Sequence, residues 1–343
     1  MAHMNNTDIA RQMVAGEKGL LAIDESIATC NRRFAALGIA QTVEERRRYR
    51  ELLITTAGLG ESISGAILSD ETIRQGTADG TTFRRILGDA GILVGIKVDA
   101  GAPELAGHPG ESVTEGLDGL RDRLAEYFQL GARFAKWRAV IRIGTGLPSR
   151  ACIEANAHAL ARYAALCQQA GLVPIVEPEV LMDGAHTLER CREVTTEGLR
   201  AVFEQLNIQG VALEGMILKP NMVLAGADCA IQESVDEVAA ATVRCFLESV
   251  PAAVPGIAFL SGGQPGQLAS ARLNAMQARP RGRDAPFPWT LTFSFARALQ
   301  EPTLSIWRGQ DSQRAAAQRA LLHRARCNRA ARRGEYSAAM EHD

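Results

Sequence analysis

Short apolar runs rich in Val, Ile, Leu and Phe recur along nearly the whole chain, separated by longer stretches with helical spacing of their apolar residues. Uninterrupted runs of this length read as strands buried on both faces, and the stretches between them as amphipathic helices. Eight such runs stand at 19–24, 64–68, 92–98, 132–140, 173–177, 213–219, 256–260 and 289–295. A helix over 43–53 is opened by Thr42 with Glu45 three residues on, the spacing of a capping box; another over 153–170 stops before Gly171. Eight strand–helix units predict an α/β protein, its parallel sheet closed into a (β/α)8 TIM barrel. The reading is one domain over 1–343, with a C-terminal helix and short tail from about 310 to 343 as an extension.

In such a barrel the catalytic groups stand at the C-terminal ends of the strands. Here those ends are unusually ionisable. The first carries Asp24, Glu25 and Ser26, the third Lys97 and Asp99, the fourth Lys136 and Arg138. The fifth carries Glu177 and Glu179, the sixth Lys219, the seventh Ser261-Gly262-Gly263, and the eighth Ser294 and Arg297. Unpaired charges in apolar surroundings are strongly unfavourable, so these groups are expected to converge in one polar site.

Composition narrows the chemistry. Of 38 basic residues only four are lysines (Lys18, Lys97, Lys136, Lys219), and three of those end apolar runs. Arginine does not lose its proton in proteins, whereas a buried lysine amine can become a neutral nucleophile. Lys219, following Met216-Ile-Leu and held by Pro220, suits attack on a carbonyl, with Lys136 two strands away as a neighbouring cation. A structural lysine paired to a carboxylate is the alternative for any one of them. None of the six histidines stands at a strand end or in an HxH or HExxH spacing, so a catalytic zinc is not expected and no cofactor is implied.

A net charge of −1 offers no global attraction for nucleic acid or for anionic membranes. The arginine-rich stretch Arg314, Arg319, Arg324, Arg326, Arg329, Arg332 and Arg333 has helical spacing and reads as a solvated helix face. No apolar run is long enough to span a bilayer, and the N-terminus shows no signal-peptide core. Seven widely spaced cysteines without a CxxC pair fit a reducing cytoplasm.

Two anion-binding features flank the lysines. Ser261-Gly262-Gly263 with Arg297 follows strands seven and eight, where barrel enzymes often hold phosphate; a simple turn is the alternative. Ser26, Thr29 and Arg33 after strand one form a second cluster, unless Arg32 and Arg33 are only solvated helix charges.

The motifs Leu20-Leu-Ala-Ile-Asp24-Glu-Ser26, Gly95-Ile-Lys97-Val-Asp99, Gly116-Leu-Asp-Gly-Leu120, Phe134-Ala-Lys136-Trp-Arg138, Val173-Pro-Ile-Val-Glu177-Pro-Glu179, Leu213-Glu-Gly-Met-Ile-Leu-Lys219-Pro-Asn221-Met, Phe259-Leu-Ser261-Gly-Gly-Gln264 and Phe293-Ser294-Phe-Ala-Arg297-Ala-Leu299 run collinearly from about residue 8 to Tyr336. On them the chain resembles the class I fructose-1,6-bisphosphate aldolases, closest to the plastid and bacterial branch. The resemblance implies reversible cleavage of the bisphosphate to dihydroxyacetone phosphate and glyceraldehyde 3-phosphate, without a metal, in a cytoplasmic homotetramer of glycolysis and gluconeogenesis. It makes Lys219 the Schiff-base residue, Glu177 the acid/base that dehydrates the carbinolamine, and Asp24 the acceptor of the C4 hydroxyl proton. Lys136 and Glu179 would complete the polar site. Ser261, Gly262, Gly263, Ser294 and Arg297 would hold the C1 phosphate; Ser26, Thr29, Arg33 and Arg46 would lie towards the C6 phosphate. Lys97 and Arg138 match active-site positions.

The sequence departs from the family pattern at Leu68-Ser-Asp-Glu71, in a longer loop from Arg279 to Trp289, and after Gly334-Glu-Tyr336-Ser337, where it stops at Asp343 without the family's tail and its terminal tyrosine. That tail is linked to preference for the bisphosphate over fructose 1-phosphate and to proton transfer at C3. Water, Tyr336 or a slower route would then serve that transfer. Two rival readings are a non-catalytic phosphosugar-binding barrel and another Schiff-base barrel enzyme, such as a transaldolase or a pyridoxal-phosphate enzyme.

Overall fold

A computed structural model describes residues 5–277 and 287–342. Eight parallel strands close into a barrel in sequence order: β1 (Gly19–Ile23), β2 (Ile63–Leu68), β3 (Leu93–Lys97), β4 (Phe134–Ile141), β5 (Val173–Val180), β6 (Ile217–Leu218), β7 (Gly256–Phe259) and β8 (Thr290–Phe295). The ring is sealed by Leu20 opposite Ser294 and Leu21 opposite Phe295. This is the (β/α)8 barrel expected from the alternation of apolar runs and helices.

Side chains on a strand alternate between its two faces, and this period of two builds the site. Inward residues Leu20, Ala22, Ile67, Phe134, Val173, Ile175, Ile217 and Ala258 form one apolar cluster with Ile9, Ala10, Met13 and Val14, contributed by the helix Asn6–Met13 and the residue after it. The intervening residues, among them Leu21, Ile23, Leu68, Ala135 and Val176, pack outward with the helices in a second cluster. Moving two residues up the inward face takes Ala22 to Asp24, Phe134 to Lys136, Ile175 to Glu177 and Ile217 to Lys219. The barrel interior is therefore apolar at its base and charged at its C-terminal mouth. Gly95 makes room for Phe134 within it: a Cβ there would stand 2.0 Å from the ring.

Several boundaries differ from the sequence reading. The sixth strand is only Ile217–Leu218, because Leu213–Gly215 forms a 3-10 turn whose flanking backbone groups are taken by Gln168, which bonds the carbonyls of Ala212 and Gly215 and the N–H of Ala212. β5 runs three residues further than expected, with Pro178 opposite Ala139. On its other side β6 has already ended and Val180 N–H donates to Asn221 Oδ1, so Pro178 interrupts no ladder there. Thr42 caps its helix (Val43–Ile54) by accepting from Glu45 N–H at 3.1 Å, but Glu45 turns to Arg48 at 2.5 Å instead of closing the capping box.

The C-terminal helix (Arg314–Arg333) is present, but its arginines are not one solvated face. Arg324 is buried against Glu341 and Ser270, and Arg332 donates to the carbonyls of Val14 and Lys18. Arg319, Arg326 and Arg333 are exposed. In the departure after β2, Ser69 caps a short helix, Asp70 holds Arg74 and Tyr127, and Glu71 holds Arg46. Most of the loop from Arg279 to Trp289 lies outside the described residues.

Candidate active site

The mouth of the barrel opens into a cavity of about 450 Å³, within the usual range for a small-molecule site. Asp24, Ser26, Thr29, Arg33, Lys97, Lys136, Arg138, Glu177, Glu179, Lys219, Ser261, Gly262, Gly263, Ser294 and Arg297 all line it. At its centre β5 lies between β4 and β6, and this order sets the charge pattern. Glu177 stands between the two lysines, with Oε2 2.9 Å from Lys136 Nζ and Oε1 3.3 Å from Lys219 Nζ. Lys136 also donates to Asp24 Oδ2 at 3.0 Å. The sequence reading places Lys136 two strands from Lys219 as a neighbouring cation; in the structure the strand between them brings Glu177 into contact with both lysines.

Asp24, Lys136, Glu177 and Lys219 are each less than a tenth exposed, so their charges act on one another with little screening by water. Burial alone would raise the Asp24 pKa, but the charges of Lys136, Lys219 and Lys97 and the Lys136 hydrogen bond override it and hold the carboxyl at about 2. Burial likewise works to lower Lys136, yet Asp24 and Glu177 push it above the ordinary lysine range. Glu179 goes the other way: burial, aided by the charge of Glu177, raises it despite Arg138, whose Nε lies 2.5 Å from Glu179 Oε2. The centre thus combines an ionised Asp24, a lysine held charged and a carboxyl biased towards its neutral form.

Two cationic ends flank this centre. At one, Ser261-Gly262-Gly263 follows β7 with Gly262 and Gly263 in the left-handed region, at φ of 56° and 93°. A Cβ on Gly263 would lie 3.2 Å from Arg297 Nη2, so glycine lets the backbone approach the guanidinium. Arg297 opens the helix Arg297–Trp307, whose cap residue Ala296 lines the cavity and supplies no capping side chain, leaving N–H groups for an anion. The Ser294 hydroxyl is buried beside them without a hydrogen-bond partner among the described residues.

At the other end Ser26 caps the helix Ile27–Ala35, accepting from Thr29 N–H at 3.2 Å. Arg33 on this helix pairs with Glu25 at 2.6 Å. Lys97 meets Asp99 Oδ1 at 2.7 Å between this end and the centre. Arg46 is not in the cavity. It is buried in the helix Val43–Ile54, forked onto Glu71 at 2.8 and 2.7 Å and bonded to Asn31 at 3.0 Å. Its guanidinium is bonded to Glu71, to Asn31 of the helix that carries Thr29 and Arg33, and to the Gln41 carbonyl, which keeps it from the mouth.

Among the described residues no histidine or cysteine lines the cavity, and of the carboxylates that line it Asp24, Glu25, Glu177, Glu179 and Asp99 each pair with a lysine or arginine. The donor set therefore suits an amine-centred reaction between two anionic substrate ends.

Comparison with known proteins decides the family. The model of the class I fructose-bisphosphate aldolases matches residues 5–343. A protein of Xanthomonas campestris described as a probable fructose-bisphosphate aldolase class 1 is 56% identical over 330 residues, 96% of this chain and 97% of that protein. The chain belongs to the class I fructose-bisphosphate aldolase family. Chicken fructose-bisphosphate aldolase B is 50% identical over 331 residues, 96% of this chain and 90% of its own length. A solved Plasmodium falciparum fructose-bisphosphate aldolase superposes with a TM-score of 0.94 at 45% identity, covering 97% of this chain and 95% of that one. As a class I aldolase the enzyme cleaves fructose 1,6-bisphosphate reversibly, through a lysine Schiff base and without a metal ion, in glycolysis.

Sequence reasoning left two residues of the aldolase site without a role. Glu25 lines the cavity and joins Arg33 to Arg50 (2.8 Å) and to Gln300 (2.7 Å); its position beside Asp24 was the only signal. Burial works to raise its pKa, but Arg50 and Arg33 bring it below the ordinary value. Asp99, seen at the end of strand three, holds Lys97. Tyr336, considered for proton transfer, is not at the mouth: its hydroxyl donates to Glu341 at 2.7 Å and its N–H to Asn274 at 2.8 Å.

Proposed function

We propose that Lys219 attacks the C2 carbonyl of the ketose and that Glu177 moves the protons of carbinolamine formation and dehydration. The observation that carries this reading is the 3.3 Å contact between Lys219 Nζ and Glu177 Oε1 in a buried pair. General acid–base transfer needs such reach, and the carboxylate is positioned to take a proton from the amine before attack and to return one to the departing hydroxyl. Asp24, held ionised by Lys136, accepts the C4 hydroxyl proton as the C3–C4 bond breaks and the protonated imine takes the electron pair. Lys136 pairs with both carboxylates and holds Asp24 ionised, and Glu179 orients Arg138.

In this reading Ser261, Gly262, Gly263, Ser294 and Arg297 hold the C1 phosphate through backbone N–H groups, hydroxyls and a guanidinium. Ser26, Thr29 and Arg33 face the C6 phosphate, with Lys97 and Arg138 along the chain between. Arg46 acts one step removed, by fixing Asn31 and Glu71 behind that end. The test is Lys219→Arg, which keeps the charge but offers no amine able to form an imine. Cleavage should be lost while inorganic phosphate still protects the fold against heat; retained cleavage would overturn the assignment.

The chain is further read as one barrel domain with residues from about 310 to 343 as a helical extension, working as a homotetramer in the cytoplasm. Family resemblance supports the tetramer, and the seven unbridged cysteines support the compartment. Sedimentation equilibrium giving the mass of four chains tests the first of these.

A further inference from the structure

Away from the barrel mouth, the C-terminal helix and the 3-10 turn Ala338–His342 enclose a groove of about 850 Å³ that no step of the reaction uses. One group of metal-ligating side chains lies in it: His323 and Cys327, one helical turn apart, and Glu341 from the turn. We propose that His323 Nε2, Cys327 Sγ and Glu341 Oε2 form a binding site for a divalent transition-metal ion of the zinc class, fastening residues 338–342 to the C-terminal helix.

The three ligand atoms lie within 4.8 Å of one another. Cys327 Sγ is 3.6 Å from His323 Nε2, and Glu341 Oε2 is 3.9 Å from the same nitrogen. A tetrahedral zinc ion with its usual bond lengths separates a sulfur and a nitrogen ligand by roughly 3.6 Å and a nitrogen and an oxygen ligand by roughly 3.4 Å. The first spacing is already met and the second closes with a shift of about half an ångström. Residues four apart on a helix share one face, so no backbone change is needed for the His–Cys pair. The thiol and imidazole favour zinc, cobalt(II) or nickel(II) over magnesium or calcium.

Arg324 and Tyr336 fit an outer shell. Arg324 Nη1 donates to both oxygens of Glu341, at 2.5 Å for Oε2, and Tyr336 donates to Oε1 at 2.7 Å. These bonds fix the carboxylate, and Oε2 keeps a lone pair on the side facing His323. Arg324 offsets the Glu341 charge beforehand, and on binding the Cys327 thiol gives up its proton to solvent, so the thiolate supplies the compensating negative charge. The groove leaves a fourth position to water, with His342 on its wall.

Cobalt(II) reports such a site directly. The full-length protein, stripped with EDTA and dialysed, is titrated with Co²⁺ under reducing conditions. One equivalent should produce a near-ultraviolet thiolate-to-cobalt charge-transfer band with visible bands of tetrahedral intensity, and one equivalent of Zn²⁺ should bleach both. Cys327→Ser should remove the charge-transfer band, and His323→Gln, at a half-exposed position, should weaken binding by at least about tenfold. Absence of a band at stoichiometric Co²⁺, or a band unchanged in either variant, would overturn the proposal.

Discussion

Lys219 Nζ lies 3.3 Å from Glu177 Oε1, and both side chains are buried at the mouth of the barrel. The other oxygen of the same carboxylate faces Lys136 at 2.9 Å, so one group touches both the proposed nucleophile and the cation beside Asp24. Glu177→Gln keeps the shape but removes the proton acceptor. Turnover should fall by about 10²–10⁴-fold with KM little changed, the range for losing one general acid–base group. Single-turnover kinetics should show slower imine formation; an unaltered rate of that step would move the proton-transfer duty elsewhere.

Lys136→Met should be costly to the fold as well as to catalysis. It leaves Asp24 and Glu177 buried without their shared cation, and breaking a buried pair in this way costs about 3–5 kcal/mol. Urea unfolding of the variant beside the double variant Lys136→Met, Asp24→Asn checks the cause. The second substitution should recover part of the loss; no recovery would mean that Asp24 is not the stranded charge.

Stability should also depend on pH through Asp24. Its folded-state pKa is lowered from 3.8 to about 2, so the stabilisation is present above 3.8 and is lost as pH falls through the folded value. Wild type should exceed Asp24→Asn in this contribution by about 2 kcal/mol above pH 5, the gap closing towards pH 2. Glu179 has the opposite sign: its raised pKa favours the fold below the unfolded value and that contribution is lost as pH rises. A gap between wild type and Asp24→Asn that stays constant from pH 5 to pH 2 would contradict the pairing.

The architecture and most of the site were legible because period-two strands place every second residue on one face, so ionisable residues at the ends of apolar runs had to converge. Glu25 was passed over because its value lies in Arg50 and Gln300, partners distant in sequence. Arg46 was misplaced because its own helix is amphipathic enough to suit either the mouth or the interior, and only the tertiary contact with Glu71 and Asn31 settles it. Strand six was drawn too long since Leu213 is apolar, but Gln168 captures the backbone beside it. None of these contacts leaves a local mark.

The two arginines once grouped at the C6 end should therefore behave differently. Arg33→Ala removes a cavity-lining guanidinium and should raise KM for fructose 1,6-bisphosphate by roughly tenfold, worth about 1.4 kcal/mol, with little effect on fructose 1-phosphate. Arg46→Ala breaks a buried fork and should lower thermal stability by more than it changes the ratio between those substrates. A coupled assay with both sugars, beside melting curves, separates the outcomes; equal selectivity loss in the two variants would return Arg46 to the binding site.

Removal of metal ions should leave cleavage intact. In the proposed mechanism the protonated imine on Lys219 is the electron sink, and among the described residues no histidine or cysteine lines the cavity. Steady-state rates before and after EDTA treatment should agree; a loss that zinc restores in the Cys327→Ser variant as fully as in wild type would contradict a lysine-centred reaction.

The central claim is that the covalent intermediate forms on Lys219. Incubation with dihydroxyacetone phosphate followed by borohydride reduces any imine to a stable secondary amine, and peptide mass mapping locates it. The account predicts one modified peptide, with the added mass on Lys219 and loss of activity in proportion to labelling. An unmodified Lys219, or label found on Lys136 or Lys97 instead, would contradict it.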